Sequence, residues 1–279
     1  MKNVVEMEWL SCHLEDPNVR IVDCRFQLGA PHEGFNAYLE DHIPGAFYFD
    51  LEKDLSSKVK EHGGRHPLPD IEELAGKLSA AGIDQHVTVV AYDDQGGPFA
   101  SRMWWLLKYL GHSKTFVLNG NYSQWKEKGH DVTDKIPQIS THNFKINIQP
   151  SLLIERNELM DKVNSKNEDY ILLDSREEKR YLGIEEPVDK VAGHIPNARH
   201  FFWKDALTLN QKWKTVEEQS SRLKGLDKEK EIIVYCGSGV TACPNVLTLK
   251  EADFPNVRLY VGSWSDWITY EDYLLEVEK

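Results

Sequence analysis

Four short motifs occur twice along this chain, in the same order and at nearly constant separation. Val22-Asp23-Cys24-Arg25 is echoed by Leu173-Asp174-Ser175-Arg176, and His42-Ile43-Pro44-Gly45-Ala46 by His194-Ile195-Pro196-Asn197-Ala198. Val89-Val90-Ala91-Tyr92 returns as Ile232-Ile233-Val234-Tyr235, and Leu118-Asn119-Gly120 through Trp125 as Tyr260-Val261-Gly262 through Trp267. Two copies of one fold follow, and so long a period means paired domains, not a solenoid. A chain of 279 residues has room for two domains of ordinary size. The join is expected within Asp131 to Pro150, a polar stretch holding Pro137 and Pro150 without helical periodicity. That gives an N-terminal domain over 1–140 and a C-terminal domain over 150–279.

Within each copy, short apolar runs alternate with helical stretches. Val19 to Val22, Val87 to Ala91, Ile171 to Leu173 and Ile232 to Tyr235 read as buried strands. After the last of these, Ala242, Val246 and Leu249 recur at spacings that predict a helix with one buried face. Strand then helix, repeated, predicts an α/β fold, each domain a parallel sheet flanked by helices. Ligand sites in such folds form at the C-terminal ends of the strands.

A net charge of −12 argues against nucleic acid or an anionic membrane as the main partner. A small anionic substrate stays open, because local cations decide that. No apolar run approaches the ~18–20 residues that cross a bilayer. The first ten residues carry Glu6 and Glu8 and lack a secretory signal pattern, so a cytoplasmic protein with reduced thiols is expected. The four cysteines, Cys12, Cys24, Cys236 and Cys243, form no CxxC and show no zinc spacing, so neither a metal site nor a disulfide scaffold is expected.

The chemistry concentrates in Tyr235-Cys236-Gly237-Ser238-Gly239-Val240-Thr241-Ala242-Cys243. A loop from strand to helix turns backbone amides toward whatever Cys236 carries, with Gly237 and Gly239 permitting the φ values and close approach required. The helix start adds partial positive charge. Both effects favour a thiolate, and equally the charged outer sulfur of a persulfide. A small buried cysteine at a tight turn is the plainer alternative. Cys12 and Cys24 read as ordinary; Cys243 is a weaker candidate for a resolving thiol.

These pieces together resemble the tandem-domain rhodanese family of thiosulfate and 3-mercaptopyruvate sulfurtransferases. They are Asp-Ser-Arg at 174–176, Ala-Gly-His-Ile-Pro at 192–196, the loop at 236–242 and Gly-Ser-Trp-Ser-Asp-Trp at 262–267. The resemblance spans essentially the whole chain. It implies that only the C-terminal copy is catalytic, and Asp93 stands where the first copy would need its cysteine. It implies a Cys236 persulfide, with the loop residues Gly237, Gly239, Val240 and Thr241 holding the transferred sulfur. It also implies a Ser238–His66–Asp50 relay and a donor carboxylate held by Arg176 and Arg180. A bare reading makes His66 a surface-loop histidine, Asp50 a turn cap and Arg176 half of a structural ion pair, as Arg25 is expected to be in the first copy. Asp23, Asp174, His42 and His194 recur in both copies and so are expected to serve the fold. Asn197 replaces a usual glycine and is expected to tolerate the left-handed conformation.

Thiosulfate enzymes of this family tend to place two basic residues after the nucleophile, whereas Gly237 and Ser238 are neutral. Mercaptopyruvate is therefore mildly favoured as donor. The implied acceptor is a thiol such as thioredoxin, or cyanide in an assay, with no metal or organic cofactor and a monomer as the expected state. A Cys-dependent phosphatase would need arginine at position 242, which is Ala. A non-enzymatic persulfide carrier or redox sensor built on Cys236 remains the alternative.

Overall fold

A computed structural model describes residues 1–165 and 169–277. The chain forms two compact units. The first comprises Met1–Ser57, Leu68–Gln149 and Leu207–Trp213; the second comprises Lys58–Pro67, Pro150–Ala206 and Lys214–Lys279. The main division lies at Gln149/Pro150. The units differ from contiguous halves because each half contributes one short arm, 58–67 or 207–213, to the unit built mainly from the other.

The first unit holds five parallel strands: β1 (Val4–Val5), β2 (Val19–Asp23), β3 (Ala46–Tyr48), β4 (Thr88–Tyr92) and β5 (Thr115–Leu118), in the order β1-β5-β4-β2-β3. Ile21, Val22 and Val89 to Tyr92 are all buried, which is why the centres of β2 and β4 read as apolar. Asp70 caps helix Ile71–Ala80 by accepting from the N–H of Glu72 and Glu73, each at 3.0 Å.

The second unit holds β6 (Tyr170–Asp174), β7 (Ala198–His200), β8 (Glu231–Tyr235) and β9 (Val257–Leu259), all parallel in the order β7-β6-β8-β9. Leu153 makes a parallel bridge to Leu259, the place that β1 takes beside β5. Its core includes Leu172, Ile195, Ile233, Tyr260, Trp264 and Trp267. The indole N–H groups of the two tryptophans donate to Val191 and Leu274 carbonyls, so neither indole nitrogen is left without a partner.

Helix Cys243–Glu251 departs from the single buried face that its spacing predicts, being covered almost all round. Asn245 shows why a polar residue is tolerated there: its Nδ2 donates to Ser175 Oγ (2.8 Å) and to the Phe201 carbonyl (2.6 Å).

The duplicated motifs hold each sheet together. Asp23 pairs with Tyr92 in register, as Asp174 does with Tyr235. Tyr92 Oη donates to Asp23 Oδ2 at 2.6 Å. The histidines stack on tyrosines, His42 on Tyr38 and His194 on Tyr181, with Nδ1 of each 2.7 Å from the carbonyl of that same tyrosine. Asn197 takes φ +64° where its counterpart Gly45 takes +81°.

Candidate active site

Cys236 directly follows β8 and is buried, 1% exposed. Its carbonyl and that of Gly237 accept from the N–H of Trp264 (3.0 Å) and Ser265 (2.9 Å). In a trans peptide the N–H points opposite to the C=O, so the donors of the loop face the other way. The N–H of Gly239 reaches Cys236 Sγ at 3.1 Å. The Ser263 hydroxyl accepts from the Cys236 N–H (3.1 Å) and donates to the Tyr260 carbonyl (2.8 Å), pinning the strand end. Ser263 holds φ +56°, unusual for a residue other than glycine.

The two loop glycines serve different ends. Gly239 has φ +76°, and a Cβ there would stand 2.2 Å from the Val261 carbonyl oxygen, so only glycine fits. Gly237 is not left-handed. A Cβ at 237 would lie 2.9 Å from Arg65 Nη2 and 3.4 and 3.5 Å from the two terminal nitrogens of Arg180, so its bareness makes room for two guanidiniums.

The arm Lys58–Pro67 brings His66 to this unit. His66 Nδ1 lies 2.8 Å from Ser238 Oγ, and both residues are buried. The arm is anchored by Gly63 N–H donating to Asp266 Oδ1 (2.6 Å), Arg65 N–H to Ser265 Oγ (3.1 Å), and His62 stacked on Tyr270 at 4.0 Å. Asp50 belongs to the first unit, where its Oδ1 accepts from the N–H of Glu52 (2.9 Å) and Lys53 (3.0 Å), as a turn cap does.

The arginines divide in the same way. Arg176 is 2% exposed and committed within the fold: Nε and Nη2 donate to Asp174, Nη1 to Glu186, and Nη2 also to the Gly193 carbonyl at 2.7 Å. Burial works against this cation, yet Asp174 holds its pKa above the ordinary range. Arg25 makes the same fork with Asp23 in the first unit. Arg176 thus stands as a structural ion pair, and Arg180 is the expected carboxylate ligand that faces the loop. Arg65, with Asp189, belongs to the site but was not singled out from sequence; its position beside His66 was the available signal. Burial, then the neighbouring Arg180 charge, pulls the Arg65 pKa down, while Cys236 and Glu186 oppose the shift.

Val240 is buried and its carbonyl accepts from the Cys243 N–H, while Thr241 is half-buried at the entry to the helix. Cys243 is buried with Sγ 3.3 Å from the Gly239 carbonyl. Burial, with Asp23 and Asp93 nearby, pushes the Cys24 thiol well up. Cys12 is exposed.

A buried strand-end cysteine in an amide loop, on the second of two like parallel-sheet units, defines the class. The chain belongs to the rhodanese family: rhodanese-like domains match residues 6–128 and 155–270. It is 42% identical to a probable 3-mercaptopyruvate sulfurtransferase of Pseudomonas aeruginosa, over 93% of each chain. It is 32% identical to the thiosulfate sulfurtransferase of Bos taurus, over 95% of this chain and 91% of that one. The crystal structure of the Escherichia coli 3-mercaptopyruvate sulfotransferase superposes with a TM-score of 0.83 at 29% identity, covering 95% of this chain and all (100%) of the other.

Proposed function

We propose that this protein is a sulfurtransferase that carries sulfur as a persulfide on Cys236, with 3-mercaptopyruvate as the favoured donor over thiosulfate. The observation that carries this reading is the Cys236 thiol at the end of β8, with the Gly239 amide on its sulfur and the Ser238–His66 pair beside it. Relatives named for each donor support the activity, and the neutral Gly237-Ser238 pair favours the keto acid.

In the first half-reaction the Cys236 thiolate attacks the donor sulfur, and the sulfur–carbon bond breaks. Its electron pair passes to the C3 carbon of the departing enolate. The proton of the donor thiol ends on that carbon, relayed through Ser238 Oγ and His66, so that pyruvate leaves and Cys236 holds –S–S⁻. Thiosulfate gives the same persulfide with sulfite leaving, and no proton is needed. Arg180 takes the donor carboxylate, a charge-assisted contact suited to a guanidinium. A thiol acceptor such as thioredoxin then attacks the outer sulfur. The protein works as a monomer in the cytoplasm, where a reactive thiol stays reduced. Among the described residues no helix is long and apolar enough to cross a membrane.

Sulfur transfer to cyanide, followed with mercaptopyruvate and thiosulfate in parallel, tests the reading. A higher kcat/KM for mercaptopyruvate, with turnover abolished in Cys236→Ser, is the expected result. Full turnover in that variant would remove the persulfide mechanism, and no turnover in the unaltered protein would favour a carrier or sensor.

A further inference from the structure

The ion pairs beside the loop form a chain in which charge alternates in sign. Asp174 pairs with Arg176 (2.6 Å), Arg176 with Glu186 (3.3 Å), Glu186 with Arg180 (2.7 Å), Arg180 with Asp189 (2.9 Å), and Asp189 with Arg65. Three guanidiniums are answered by three carboxylates, so the cluster carries no excess charge of its own. The side chains of Asp174, Arg176, Glu186 and Asp189 are at most 5% exposed, against 17% for Arg180 and 31% for Arg65. The two accessible members are the same two guanidiniums that flank Gly237.

Asp189 bridges that pair, Oδ1 to Arg65 Nη1 and Oδ2 to Arg180 Nη2. A donor carboxylate would grip two guanidiniums in this manner, so Asp189 already supplies part of what an incoming anion offers. It is also a fixed negative charge behind the binding cations. Repulsion from a fixed charge scales with the charge of the ligand, so a dianion meets about twice the penalty of a monoanion at the same place. Rejection through a placed like charge is a general route to specificity.

We infer that Asp189 is a specificity-determining residue: by neutralising the Arg65–Arg180 pair it admits a monoanionic keto-acid thiol and discriminates against dianionic donors such as thiosulfate. The inference rests on the proposed function and sharpens its donor preference. Arg65 is the second guanidinium for the donor anion, and Asp189 acts by setting the charge and position of both.

Asp189→Asn keeps the shape and one acceptor oxygen while removing the charge. In the full chain, kcat/KM for thiosulfate relative to mercaptopyruvate is expected to rise about tenfold, and added salt is expected to shrink the change. Arg65→Gln removes the opposite charge and is expected to lower the ratio by about fivefold, and it stands as an independent test where Asp189→Asn folds poorly. The Asp189→Asn/Arg65→Gln double variant, balanced again, is expected to return to within about threefold of the unaltered ratio. A merely structural role would depress both donors together and leave the ratio alone. A ratio that stays constant in both single variants, or a shift that persists in the double variant, overturns the inference. Intact-mass detection of the sulfur on Cys236 separates the two levels. Loading with an unmoved ratio sinks only the role of Asp189, whereas no loading in the unaltered protein sinks the proposed function and this inference with it.

Discussion

The loops after β4 and β8 are the same device with different contents. In the first unit Asp93 follows the strand and its own carboxylate fills the loop: Oδ1 accepts from the N–H of Gln95 and Gly97 at 2.9 Å each, and Oδ2 from Phe99 (2.9 Å) and Ala100 (3.0 Å). In the second unit Cys236 occupies that point, with the Gly239 amide on its sulfur. The arms differ likewise. Arm 207–213 sets the Trp213 ring against Gly97, its backbone N–H donating to Asn119 Oδ1 at 2.9 Å. Arm 58–67 brings Arg65 and His66 to the loop instead. Both loops therefore turn backbone amides onto the residue that follows the strand. In the first unit a built-in carboxylate takes four of them, and in the second the Cys236 sulfur takes that of Gly239.

The strongest way to break this comparison is to make the second loop a copy of the first. Cys236→Asp is expected to keep the fold and to lower sulfur transfer by at least about 10³-fold, because the nucleophile is gone. Steady-state turnover and a thermal melt check the two halves of the statement. Turnover within tenfold of the unaltered enzyme would place the reacting sulfur elsewhere.

Next in size is the cost of a methyl group at the loop glycines. Gly239→Ala forces a left-handed alanine into the Val261 carbonyl and is expected to cost about 3 kcal/mol. Gly96→Ala, also left-handed, meets only the side chains of Leu207 and Gln211. It is expected to cost about 1 kcal/mol, the backbone term alone. Urea midpoints for the pair decide the matter, and equal costs would show that the Cys236 loop relaxes as easily as the Asp93 loop.

How much of this was legible in the sequence follows from where each interaction is encoded. The duplication, the buried strands and the Cys236 loop are local patterns, and local patterns survive in a string of letters. The matching Arg25 in the first copy points to the commitment of Arg176 to Asp174, since a shared contact serves the shared fold. Arg65 and Asp189 were not legible, because they meet only when the arm folds onto the second unit, and a long sequence separation hides such pairs. In the sequence Gly237 shows only backbone freedom, whereas the space for two guanidiniums depends on that same tertiary contact. The helix after Cys236 misled through its spacing: Asn245 looks solvent-facing until Ser175 and Phe201 supply its partners.

The proposed relay would also give the Cys236 loop a proton to move, and Ser238→Ala isolates that. Loss of the hydroxyl is expected to lower kcat/KM by about 30-fold with mercaptopyruvate, whose enolate must be protonated, and by less than about threefold with thiosulfate. A uniform loss with both donors would make Ser238 a packing residue and not part of a relay.

The smallest effect bears on the Asp93 loop. Burial pushes the Asp93 carboxyl above its ordinary value of 3.8, while the amides of Ala100, Gln95, Gly97 and Phe99 pull it back without cancelling the rise. A carboxyl with a higher pKa in the folded chain than in the unfolded one binds its proton more tightly when folded. Its contribution is therefore greatest at low pH and declines as pH rises from the ordinary value through the folded one. Asp93→Asn cannot ionise, so the stability of the unaltered protein relative to the variant is expected to fall as pH rises from acid toward neutral, in urea titrations of both. A difference that grows with pH would mean that four amides outweigh burial. The cradle alone would then favour an anion, and the same backbone around Cys236 would favour its thiolate and persulfide with no help from Arg65 or Arg180.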